Sequence, residues 1–275
     1  MIAWSVYTTR RLLYPERRAI PPPSPLPDHL VWTFTAPDGA TFEIWALEVP
    51  SPRARILLYH GYFANRFQVL PLAAALRERG YDVLLPELRG HGARPGPFTF
   101  GVKETEEAGV ILRWCAQRDG VGRAVPVAIA GFSSGAMVAC QIAQRYPQQV
   151  HAMVADSLFP RFFDLLAQRL REDHGVPRWP FAWLSWWSLQ LALQTRLGAR
   201  EPVAIASSMS QPLLAIHGGQ DRWISREAVL RWFDRWAGPK QQWVEPETAH
   251  VQMFHHHPEE YVRRVTAFLS QALPA

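Results

Sequence analysis

The sequence predicts a doubly wound α/β fold, in which a mostly parallel sheet is buried between helices. Three observations predict it. Short continuous apolar runs alternate with segments of helical period from about residue 56 onward, as strands buried on both faces require. Ahead of them, two β-rich runs flank Pro37-Asp38-Gly39, an antiparallel hairpin signal. Between the fourth and fifth buried runs lies a long stretch with no strand-like segment, residues 157–210, which reads as a helical insertion.

The elements follow in order. Residues 15–28 hold Pro15, Pro21, Pro22, Pro23, Pro25 and Pro27, so this stretch is extended and cannot pair inside a sheet. The hairpin strands run from Val31 to Thr35 and from Phe42 to Val49. The buried runs are Ile56–Tyr59, Tyr81–Leu85, Val125–Ala130, Val150–Ala155, Leu213–His217 and Gln242–Glu245. Helices are predicted over about 65–79, 104–118, 134–146, 225–237 and 258–272. Gly80 closes the first of these and Pro147 stops the third. The expected organisation is an N-terminal Pro-rich arm over 1–30, a core formed by 31–156 and 211–275, and a cap over 157–210. The cap carries Trp179, Trp183, Trp186 and Trp187 with Phe159, Phe162, Phe163 and Phe181. Rings at that density need apolar surface to cover or a greasy substrate to meet.

Composition narrows the function classes. A hydrophobic fraction of 48% supports a sizeable core, and a charged fraction of 19% argues against disorder. The net charge of +5 comes almost wholly from arginine, since Lys103 and Lys240 are the only lysines. The arginines are scattered and form no basic stripe, so no nucleic-acid partner is expected. Cys115 and Cys140 lie in helical segments and read as small apolar fillers, and the reducing cytoplasm is the expected location. No run of eighteen apolar residues occurs, so no transmembrane segment is expected. The apolar start, Met1 to Tyr7, is expected to rest on the protein's own body, with weak contact to a membrane surface as the alternative.

The chemistry centres on Gly131-Phe132-Ser133-Ser134-Gly135. A Gly-x-Ser-x-Gly pattern is weak alone, but this one directly follows a buried strand and opens a helix. That setting is what a nucleophile elbow requires, with glycines where the turn leaves no room for side chains. Serine needs a base to take its proton. His250 follows the last strand and so reaches the same sheet edge, whereas His255, His256 and His257 abut Pro258 and read as the lead-in to the last helix. Adjacent histidines cannot all face one ion, and no metal or cofactor is expected. Asp221, just past the fifth buried run, is the expected acid, with Asp156 after the fourth run as its rival. The oxyanion donors are expected to be the backbone N–H groups of Ser134 and Tyr62, with His60 and Gly61 shaping the second loop.

With those pieces in place, the chain resembles the α/β-hydrolase superfamily, and within it the bacterial esterase/lipase-like branch near the monoacylglycerol lipases and serine aminopeptidases. The likeness rests on Asp38-Gly39, His60-Gly61 with Asn65-Arg66, Gly80 to Leu84, Arg89-Gly90-His91-Gly92, the Ser133 segment, Ala155-Asp156-Ser157, His217 to Asp221, and His250. It spans roughly residues 31–272. Two positions depart from the branch. Glu87 stands where the branch usually has Asp, so that loop is expected to be wired differently. Ser134 replaces an apolar residue, which is expected to leave the backbone donor intact and make the pocket wall more polar.

The resemblance implies an α/β-hydrolase fold and acyl transfer to water, because the dehalogenases and epoxide hydrolases of this fold carry Asp at the elbow. The expected activity is a serine esterase, lipase-like and cofactor-independent, acting on small-molecule or lipid-like esters with apolar acyl groups. The alternatives are an aminopeptidase or amidase, then a thioesterase, and last a non-catalytic binding protein. Amide cleavage needs an acidic subsite for the substrate amine, and the insertion offers little beyond Glu172-Asp173.

Overall fold

A computed structural model of the chain describes residues 1–18, 20–119 and 124–274. Helix α1 spans Ile2–Leu13, and the hairpin strands β1 and β2 span Leu30–Thr35 and Thr41–Leu47. Then come β3 (Arg55–Tyr59), α2 (Leu70–Arg77), β4 (Asp82–Pro86), α3 (Val102–Arg118), β5 (Val127–Phe132), α4 (Ser134–Arg145) and β6 (Ala152–Asp156). The insertion contributes α5 (Phe162–His174), α6 (Trp183–Ala192) and the short α7 (Pro202–Ile205). The chain returns through β7 (Leu213–Gly218), α8 (Arg226–Arg235), β8 (Lys240–Glu245), α9 (Met253–His256) and α10 (Pro258–Ala272).

The strands form one sheet in the order β1-β2-β4-β3-β5-β6-β7-β8. β2 pairs antiparallel with β1 and with β4, and every pairing from β4 to β8 is parallel. The α/β fold expected from the sequence is therefore present, including the leading hairpin. At the hairpin turn Gly39 takes φ 82° and the Asp38 carboxylate accepts the Ala40 N–H.

Alternate residues of the central strands feed two apolar layers. Leu57, Ile129, Met153 and Ala215 face α3, α4, α8 and the insertion. Ile56, Ala128, Val154 and Ile216 face α2 and α10. Every residue of β3 to β7 is buried, which explains why those strands read as continuous apolar runs rather than alternating ones.

The strand order reverses at β3, whose neighbours are β4 on one side and β5 on the other. A crevice at the carboxyl ends of such strands is where open α/β sheets hold their ligands. Ser133 follows β5 and His60 follows β3 at that edge.

One local expectation needs correction. The helix expected over 65–79 is split: a tight turn at Arg66–Gln68 precedes α2, and Pro71 sits in the first turn of α2. Proline lacks an N–H and is tolerated only where a helix begins. For the first residues the sequence predicts only that they rest on the protein's own body, and it assigns them no secondary structure. They form α1, which packs on α6 with the Thr8 and Ser185 hydroxyls 2.7 Å apart.

Candidate active site

Ser133 sits between β5 and α4 with φ 52° and ψ −113°, backbone angles that side-chain-bearing residues seldom adopt. The turn persists because its neighbours are glycines. A Cβ on Gly131 would lie 2.4 Å from the Gly135 carbonyl, and one on Gly135 would lie 2.4 Å from the His60 carbonyl oxygen. The Ser133 N–H donates to the Asp156 carbonyl at 2.8 Å, which carries the sheet pairing into the turn. The Oγ is thereby set above the N-terminus of α4, where the helix dipole places positive potential.

Three side chains from three loops converge there. His250 Nε2 lies 3.0 Å from Ser133 Oγ, and His250 Nδ1 lies 2.6 Å from Asp221 Oδ2. Asp221 is held in turn, since its Oδ1 accepts the N–H groups of Trp223 and Ile224 at 2.9 and 3.0 Å. The Asp221 side chain is buried and that of His250 nearly so. Charge on the carboxylate therefore acts on the imidazole with little screening.

The expected oxyanion loop lies beside the serine. Gly61 packs against the elbow, its Cβ direction ending 3.7 Å from Ser133 Cβ, and its N–H is occupied by Gln68 Oε1 at 2.8 Å. Tyr62 is next in chain. Ser134 is the first residue of α4, so its N–H is one of those a helix leaves without an internal partner. The Ser134 side chain is buried, with no hydrogen-bond partner for its Oγ among the described residues. It faces the protein interior, contrary to the polar pocket wall expected of it.

The loop behind this site is wired through Glu87. Its carboxylate accepts both the backbone N–H and the Nε–H of Arg66 at 3.0 Å and lies 2.8 Å from His60 Nε2. Burial works to raise this carboxyl, but His60 and Arg66 outweigh it and hold it at about 2. His60 is buried with Nδ1 on the Gly61 carbonyl oxygen at 2.8 Å, so it shapes the loop. The longer Glu side chain spans from β4 to both partners. A Cβ on Gly92 would lie 2.4 Å from its Oε2.

Asp156, the rival acid, is fully buried below the site. Burial pushes its carboxyl up to about 6. It accepts the Ser157 hydroxyl at 2.8 Å, and Ser157 Oγ accepts the Val251 N–H at 3.0 Å. Ser157 and Val251 both take positive φ, 53° and 59°. A strap thus runs from the strand that holds the Ser133 N–H to the residue after His250. In the sequence Ser157 stands out only as part of Ala155-Asp156-Ser157, and Val251 does not stand out at all. Trp223, whose ring lies 4.8 Å from that of His250, is not singled out in the sequence, and the buried His217, named there only as part of the likeness, has its Nδ1 3.9 Å from Asp221 Oδ2. The spacing of Trp223 from Asp221 is the signal that could have flagged that residue.

The remaining candidates lie elsewhere. His255 and His256 are exposed in α9. Cys115 and Cys140 are free and buried, and burial pushes the Cys115 thiol up to about 12. Glu172 and Asp173 both pair with Arg169, at 3.7 and 3.0 Å.

Comparison with known proteins agrees with the fold. A family model described as alpha/beta hydrolase fold matches residues 54–193. The uncharacterized protein YqkD of Bacillus subtilis is 25% identical over 216 residues, covering 78% of this chain and 70% of its own. The uncharacterized protein YfhR of Escherichia coli O157:H7 is 26% identical over 288 residues, covering 99% and 93%. Among solved structures, the Pyrococcus furiosus esterase Pf2001 superposes with TM-score 0.72 at 23% identity, over 94% of this chain and 100% of that one. A serine hydrolase without lid from Xanthomonas campestris superposes with TM-score 0.62 at 21% identity, over 93% and 99%.

Proposed function

The chain belongs to the α/β-hydrolase family, and on that premise we propose that it is a serine hydrolase cleaving carboxylic esters with apolar acyl groups. The observation that carries this reading is the relay of 3.0 Å from Ser133 Oγ to His250 Nε2 and 2.6 Å from His250 Nδ1 to Asp221 Oδ2. Asp221 fixes the tautomer in which Nδ1 carries the proton and Nε2 is free to act as base. Ser133 Oγ attacks the acyl carbon as His250 takes its proton. The tetrahedral oxyanion is held by the Tyr62 and Ser134 N–H groups. His250 returns the proton to the departing alkoxide, and an acyl-enzyme forms. Water, deprotonated by the same imidazole, then releases the acid.

Exposed apolar surface beside the base supports an apolar acyl group, since Trp223 is 44% exposed and its ring lies 4.8 Å from that of His250. An aromatic stack, buried from Phe98 onward, runs from Tyr62 through Phe98 and Phe100 to Phe162 and Trp186, and ties the insertion to the loop beside Ser133. On this reading residues 157–210 act as a cap, with Gln168 of α5 donating to the Arg222 carbonyl beside Trp223. Ester rather than amide cleavage is favoured because Glu172 and Asp173 are already engaged by Arg169, which leaves them poor anchors for a substrate amine.

Ser133→Ala is expected to reduce hydrolysis of a chromogenic short-chain ester by at least about 10⁴-fold while the fold persists. Turnover unchanged in that variant would sink the mechanism. Aminoacyl anilides assayed beside the ester test the peptidase alternative, and faster cleavage of the anilides would replace the esterase reading.

A further inference from the structure

Helices α1 and α6 lie against each other, and each leaves a row of large apolar side chains in solvent. A helix lying on a protein normally turns its apolar stripe inward. In α1 the buried residues are Ser5, Thr8 and Thr9, while Ile2 and Val6 are 78% and 58% exposed. In α6 the residues at i, i+4 and i+8 are Trp183, Trp187 and Leu191, and the last two are 66% and 81% exposed. Inward, α6 buries Trp186 and Leu189, α1 half-buries Trp4, Leu12 and Leu13, and Thr8 Oγ1 meets Ser185 Oγ where the two helices touch. Beyond those buried residues, large apolar side chains face water at regular helical spacing on two adjoining helices. Exposed apolar surface of this kind marks an interaction face.

Charge selects the occupant. Neither α1 nor α6 contains an acidic residue, and their only charged side chains are Arg10 and Arg11. Both arginines are exposed and make no ion pair among the described residues. The nearby acids of α5 are already neutralised, Asp164 by Arg178 at 2.9 Å and Asp173 by Arg169 at 3.0 Å. A second copy laid symmetrically on this face would meet arginine with arginine. Tryptophan and leucine flanked by arginine suit the boundary of an anionic bilayer, where indole rings sit at headgroup depth and guanidinium groups meet phosphate. No helix among the described residues is long and apolar enough to cross a membrane, so the contact is with the surface.

We propose that the α1–α6 pair docks the protein on a negatively charged lipid surface. The proposal concerns where the protein rests and is independent of what Ser133 does.

The test is co-sedimentation of the full chain with phosphatidylcholine vesicles, with and without phosphatidylglycerol. Binding is expected only with the anionic lipid, and it should weaken as salt is added. Paired substitution of Trp187→Ser with Leu191→Ser, or of Ile2→Ser with Val6→Ser, should weaken binding by about tenfold or more. Arg10→Gln and Arg11→Gln should each weaken it about fivefold. All these variants should keep the native unfolding temperature and turnover of a soluble ester. Failure of the native chain to bind anionic vesicles at low salt would overturn the proposal. So would binding unaffected by the serine pairs, or a dimer in analytical ultracentrifugation that those pairs dissolve, since the occupant would then be a second copy.

Discussion

Gly131 and Gly135 flank Ser133, and backbone fills the space on both sides of them. A methyl group at position 131 would meet the Gly135 carbonyl carbon and oxygen at 2.4 Å and the Ala136 nitrogen at 2.6 Å. None of those atoms belongs to a flexible side chain, so the elbow itself must open. Gly131→Ala is expected to lower stability by about 3 kcal/mol or more. Any folded fraction should react more slowly with a fluorophosphonate, because Ser133 Oγ would leave its place beside His250 Nε2. Chemical denaturation and probe labelling check both. Constraints of this kind are legible in sequence, since the elbow advertises itself as glycine at fixed spacing next to a buried strand. Val251 leaves no such mark, and Ser157 shows only as the residue after Ala155-Asp156, with no sign of its partner. Their link is one hydrogen bond between residues far apart in the chain, and the positive φ of Val251 runs against what a β-branched side chain predicts.

At the scale of elements, α5 depends on a carboxyl from beyond α6. The Phe163 N–H, in the first turn of α5, donates to Glu201 Oε1 at 3.1 Å. Burial pushes the Glu201 carboxyl up from 4.5 to about 7, against the pull of that N–H and of Arg161. The folded chain therefore holds this proton more tightly than the unfolded one. The stabilisation is complete below the ordinary value of 4.5 and is lost as pH rises through about 7. Glu201→Gln keeps an oxygen for the Phe163 N–H and cannot ionise. It is expected to match the native chain near about pH 4 and to exceed it near about pH 8 by on the order of 2 kcal/mol. Urea unfolding at the two pH values measures this, and equal stability at both would show that Glu201 ionises freely. The five strands β3 to β7 were readable because burial on both faces leaves an unbroken apolar run. Glu201 was not, because its environment is made by α5 and Arg161, which lie dozens of residues earlier in sequence.

Across the whole molecule, Tyr62 joins parts that the sequence presents as unrelated. Its hydroxyl donates to the Leu12 carbonyl at 2.8 Å, near the end of α1. Its ring packs against His91 and Phe98, and the Phe98 N–H donates to the Leu13 carbonyl at 2.7 Å. Helix α1 is thus pinned at one end to the loop beside Ser133 and along its length to α6 of the insertion. The sequence showed Tyr62 only as the residue after His60-Gly61, because a side chain's partner fifty residues upstream has no local signature. Its two roles can be separated. Tyr62→Phe deletes the hydroxyl and keeps the ring and the backbone N–H. It is expected to cost about 1 kcal/mol, the net worth of one such hydrogen bond, and to speed amide exchange in α1. Turnover of a soluble short-chain ester should stay within about twofold, since the proposed oxyanion donor is the main-chain N–H. Hydrogen exchange resolved by segment, measured beside kcat, decides it. A large fall in kcat with α1 exchange unchanged would mean that the phenol itself acts on the substrate. Faster exchange in α1 with kcat preserved would mean that it acts as the pin for the first helix.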